Sequence, residues 1–81
     1  MDIFKEIESI AKQGYSIEYQ IIDQLANGYK KEIGKGLKPL ITYTVYVIRL
    51  SDSETVYNES FDHIKDCLEA GIKYFRENLV S

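Results

Sequence analysis

The chain has 81 residues, 44% of them apolar, a net charge of −3 and a single cysteine, Cys67. That length holds one hydrophobic core, so residues 1–81 are expected to form a single domain, and the apolar content excludes a largely disordered chain. One cysteine excludes an internal disulfide, and the acidic balance argues against generic nucleic-acid binding.

Residues 2–13 read as an amphipathic helix. Asp2 is suited to the N-cap, where its carboxylate accepts from free backbone N–H groups. Ile3, Phe4, Ile7, Ile10 and Ala11 form one apolar stripe, and Glu8 and Lys12 stand four apart on the wet side. Gly14 marks the stop, because it takes a left-handed conformation cheaply. The period then changes to two. Tyr15, Ile17, Tyr19 and Ile21 alternate with polar residues, which predicts a half-buried strand over 15–22.

Residues 24–39 admit two readings. Asn27-Gly28 is a hairpin-turn dipeptide, whereas Gly34, Gly36 and Pro39 break any regular run. The segment is either a hairpin extension of the first strand or a long loop. Residues 40–50 are rich in Thr, Tyr, Val and Ile and predict a strand. Ser51, Asp52 and Ser53 predict a turn, and Glu54 to Asn58 a shorter strand completing a hairpin. Ser60 then reads as the N-cap of a last helix, with Asp62 in its first turn. Phe61, Ile64, Leu68, Ile72, Phe75 and Leu79 supply that helix's core stripe. Gly71 lies inside the helix at a cost of about 1 kcal/mol against alanine, which close packing on a sheet would explain. The expected fold is therefore α+β, in the order α-β-β-β-α: a three-stranded antiparallel sheet with two helices packed on one face.

Chemistry is sparse. His63 and Cys67 lie one turn apart, but a structural zinc site needs four ligands and no second Cys/His pair exists, so no metal is expected. Adding Asp66 completes the residue types of a nucleophilic triad, yet one stretch of helix supplies neither pocket nor oxyanion site. Gly34-Lys35-Gly36 lacks the spacing of a phosphate-binding loop. No catalytic residue and no cofactor is expected, and the chain does not read as an enzyme.

Charge is more informative. Lys30, Lys31, Lys35, Lys38 and Arg49 against Glu32 leave the middle at +4. Lys30, Lys31, Lys35 and Lys38 form a basic loop beside Tyr29, either a phosphate-contacting element or a solvated loop. Asp52, Glu54, Glu59, Asp62, Asp66 and Glu69 against Lys65 give −5. Asp52, Glu54, Glu59, Asp62 and Asp66 read either as a solvated rim complementing a helix dipole or as an acidic edge that docks a basic partner. Seven tyrosines are many for this length. Tyr43 and Tyr46 fall on opposite faces of one strand, so aromatics are either displayed for an interface or clustered to stiffen the sheet.

The element order resembles that of the double-stranded-RNA-binding domain. That family grips phosphates with lysines at the start of its last helix. Here the matching stretch, Ser60-Phe61-Asp62-His63-Ile64-Lys65-Asp66, keeps only Lys65, so the resemblance implies the fold and not the RNA contact. The layout also resembles small acidic phage proteins, among them anti-CRISPR inhibitors that occupy the DNA-binding site of a nuclease. The stretch from Tyr46 to Tyr57 is similar to a strand–acidic turn–strand in that group, although Gly14 stands where the inhibitor carries an acid. This resemblance implies that Asp52 and Glu54 contact a basic groove.

The expected function is a non-catalytic protein-interaction or inhibitory module, of the kind phages and mobile elements encode, binding a basic partner surface through its acidic edge. The alternatives are a nucleic-acid-binding domain using Lys30, Lys31, Lys35 and Lys38, and a homodimer of structural role. Residues 1–6 do not read as a signal peptide, and no apolar run approaches the roughly 20 residues of a membrane span. A cytoplasmic location without membrane association is expected.

Overall fold

The computed structural model describes residues 2–23 and 41–80. The elements are α1 (Ile3–Lys12), β1 (Tyr15–Asp23), β2 (Ile41–Arg49), β3 (Glu54–Phe61) and α2 (Ile64–Asn78). The three strands form one antiparallel sheet in the order β1-β2-β3. The α+β fold and the α-β-β-β-α order read from the sequence are those observed.

Local chemistry accounts for each boundary of α1. The Asp2 carboxylate accepts from the N–H groups of Phe4 and Lys5 at 3.0 and 3.2 Å. Gly14 has φ +97°, and its carbonyl accepts from Leu50 N–H at 2.9 Å, pinning the α1–β1 turn to the end of β2. No ion pair joins Glu8 to Lys12 among the described residues. The contact made from α1 is Glu6 Oε1 to Arg76 of α2, at 2.6 Å.

Both helices cover one sheet face. Ile17, Val45 and Val47 point toward them and pack with Ile10, Cys67, Leu68, Ile72 and Phe75. Gly71 is where α2 comes closest. A Cβ there would stand 2.8 Å from Val45 Cγ2 and 3.3 Å from Ile17 Cγ2, so the absent side chain is what lets helix and sheet meet. Tyr15 packs edge-on against Phe75, 5.5 Å between ring centroids. The cover is incomplete. Tyr19 and Ile21 point the same way as Ile17 but are 49% and 57% exposed, so the helix layer does not reach the far end of β1.

The opposite face is mostly polar, with Ile22 and Ile48 among Ser16, Glu18, Gln20, Thr42 and Thr44. Tyr46 lies there as its alternation with Tyr43 predicts, and its hydroxyl donates to Gln20 Oε1 at 3.1 Å. The sheet thus displays Tyr46 on one side, while Tyr15, Tyr43 and Tyr57 pack against the core on the other.

The start of the last helix differs from the sequence reading. Ser60 is not its N-cap, Phe61 is not helical and Asp62 is not in its first turn. All of β3 continues to Phe61, with Ser60 opposite Thr44 and Phe61 opposite Tyr43. The Ser60 and Thr44 hydroxyl oxygens are 2.8 Å apart, which gives buried Thr44 its partner. Three more ladder residues, a hydroxyl pair and an aromatic pair outweigh a single cap of about 1 kcal/mol. The cap position falls to His63, in extended conformation and without a side-chain hydrogen bond, and Asp66 becomes the first-turn acid. Between Val47 and Ile48 the register of β3 slips, leaving Val56 as an extra residue: a β-bulge.

Candidate interaction site

The five acids expected to form one edge separate into two groups. Asp52 and Glu54 belong to the β2–β3 turn, where Arg49 holds both. Arg49 Nε reaches Asp52 Oδ1 at 3.1 Å, and Nη2 reaches Asp52 Oδ2 at 3.0 Å and Glu54 Oε2 at 2.7 Å. Asp52 Oδ1 also accepts from Glu54 N–H at 3.1 Å, while Ser53 takes φ +59° to close the turn. The Arg49 guanidinium, and then the Glu54 N–H, hold the Asp52 carboxyl below its ordinary range; Asp52 in return raises Arg49. The sequence reading counted Arg49 with the basic middle. In space it offsets the acidic turn.

Glu59, Asp62 and Asp66 lie toward the other end of β3. Glu54 and Glu59 stand opposite Arg49 and Val45, four ladder steps or about 13 Å apart. Glu59 Oε2 accepts from the Tyr57 hydroxyl at 2.6 Å. Among the described residues none of these three acids has an ion pair, whereas Glu69 meets Lys65 at 3.8 Å.

Of these acids, Glu59 lines a groove that sequence reasoning missed. Tyr57, Glu59 and Phe61 line one wall from alternate positions of β3. Ala70, Lys73, Tyr74, Glu77 and Asn78 line the other from one side of α2, and the groove has a volume of about 330 Å³. Its floor is the stack of Tyr57 on Tyr74. The Tyr74 hydroxyl donates to the Val56 carbonyl at 3.3 Å, anchoring the floor at the bulge. Burial, and then the hydrogen bond to Glu59, push the Tyr57 phenol up to about 12. Asp66 stands one helical turn before Ala70 and so continues the α2 wall. The signal was present in the period-two run Tyr57, Glu59, Phe61 but was hidden by assigning Ser60 to a helix cap.

His63 and Cys67 do not form a site. Cys67 is fully buried in the core and burial raises its thiol, whereas His63 is exposed. No group of three His, Cys, Asp or Glu residues suited to a metal occurs among the described residues. Lys30, Lys31, Lys35 and Lys38, like the hairpin or loop at 24–39, lie outside the described residues. No helix among the described residues is long and apolar enough to cross a membrane.

Compared with models of protein families, with curated proteins and with solved structures, the chain matches none.

Proposed function

We propose that the chain is a non-catalytic interaction module that binds a basic protein surface along the acidic β3–α2 edge. The observation that carries this reading is the division of the acids. Arg49 engages Asp52 and Glu54, whereas Glu59, Asp62 and Asp66 are in no ion pair among the described residues, and Glu59 lines an open groove. Unneutralised like charges at one end of a small domain repel each other, and a basic partner relieves that repulsion while steering its own approach. The resemblance to small acidic phage inhibitors points the same way and suggests a partner whose surface otherwise meets nucleic-acid backbone.

The test begins with affinity capture from the cells that carry the chain. The partner is then purified and titrated calorimetrically. Reversal of Asp62 and Asp66 to lysine should weaken binding about tenfold or more, and added salt should weaken the parent complex. Unchanged affinity in the D62K/D66K chain rules the acidic edge out.

A further inference from the structure

The groove has a construction that a flat acidic patch lacks. One wall is an edge strand. β3 pairs with β2 on one side only, and among the described residues its other side has no backbone partner. The other wall is a helix running back alongside that strand, since Phe61 and Ala70 line the groove together with Tyr57, Tyr74 and Asn78. An edge strand beside a helix is what an extended peptide needs in order to add as a further strand. Backbone hydrogen bonds supply affinity, and alternate side chains drop between strand and helix.

The lining says which side chains fit. The Tyr57–Tyr74 stack offers apolar area to a methylene chain. Glu59 and Glu77 lie beside it with Lys73 as the one cation, and Asp66 continues the same wall. An aromatic surface flanked by carboxylates suits a lysine, whose stem lies on the rings while its ammonium meets the acids. We propose that an extended, lysine-bearing segment of a partner protein adds to β3 as a fourth strand, with alternate side chains seated between β3 and α2. The proposal rests on the reading above that the partner is basic, and it names the mode of contact. A second copy of the chain fits poorly. β3 carries Glu54 and Glu59 and no cation, so pairing β3 with itself brings like charges together.

The probe is a dye-labelled peptide of alternating valine and lysine, measured by fluorescence anisotropy. It is compared with the same peptide N-methylated on alternate residues, and with a version carrying glutamate for lysine. The parent peptide should bind saturably and shift the amide resonances of Tyr57, Glu59 and Phe61. N-methylation should weaken it about tenfold or more, because the methylated groups can no longer donate to a strand. E59K, at an exposed position, should weaken the parent peptide and leave amide dispersion unchanged. Equal binding of the N-methylated peptide overturns strand addition while leaving the acidic edge standing. Equal binding of the glutamate version overturns both. No binding by the parent peptide overturns the groove proposal alone, since D62K/D66K tests the edge separately. If β3 resonances shift with protein concentration in the absence of peptide, the occupant is a second copy and the proposal fails.

Discussion

The ring of Tyr57 lies on that of Tyr74 with 4.4 Å between centroids and 12° between planes. One ring comes from an edge strand and the other from the helix that follows it, so the stack joins the two walls of the groove. It also places the Tyr57 hydroxyl where it donates a hydrogen bond to Glu59.

That arrangement sets an alkaline limit. A phenol raised in the folded state from 10.0 to about 12 favours the fold fully below pH 10. The contribution is then lost as pH rises from about 10 toward 12. Titration followed by phenolate absorbance should show one tyrosine ionising about two pH units late, and Y57F should remove that step. E59Q should bring it down, since the acceptor's charge is gone. A Tyr57 that titrates at the ordinary 10.0 would contradict the half-buried, bonded hydroxyl.

Gly71 predicts a cost with an unusual sign. In an exposed helix, glycine to alanine gains about 1 kcal/mol. Here the new methyl meets the stiff side chain of Val45 at 2.8 Å. Overpacking costs of about 1–3 kcal/mol outweigh the propensity gain, so G71A should lower stability by roughly 1 kcal/mol in urea denaturation. The double variant G71A/V45A should recover part of the clash. A more stable G71A would mean that helix and sheet are not in close approach.

The β2–β3 turn has an acid limit. Because Arg49 and the Glu54 N–H depress the Asp52 carboxyl below its ordinary 3.8, its contribution is complete above that value and fades as pH falls below it. Carboxyl NMR titration should find Asp52 ionising at lower pH than an isolated aspartate, and R49Q should return it toward the ordinary value.

Cys67 tests the core. It is wholly buried with its thiol raised, so thiol reagents should label the native protein roughly a thousandfold or more slower than a free cysteine, in step with the unfolded fraction. Rapid native labelling would place it outside the core.

Features encoded by a few neighbouring residues were legible in the sequence. Asp2 caps, Gly14 turns, Gly71 admits the sheet, and Tyr43 and Tyr46 part to opposite faces. What was not legible depends on partners distant in the chain. Ser60 has the chemistry of a cap, and only the register that sets it against Thr44 makes it a strand residue. Tyr19 and Ile21 follow the buried period, but how far the helices reach along β1 decides their exposure. Five acids of the edge were visible, but Glu77 of the groove was not, and neither was their grouping. Arg49 reaches Asp52 and Glu54 through the turn, and Tyr57 meets Tyr74 only once β3 and α2 fold side by side.

The bulge at Val56 carries a consequence for crowded conditions. A long, flat, unpaired strand edge templates further copies without limit and seeds fibrils. By interrupting the ladder and bending β3 within its length, the extra residue keeps the open edge short. The proposed addition of a single segment and resistance to runaway stacking are then compatible in one strand.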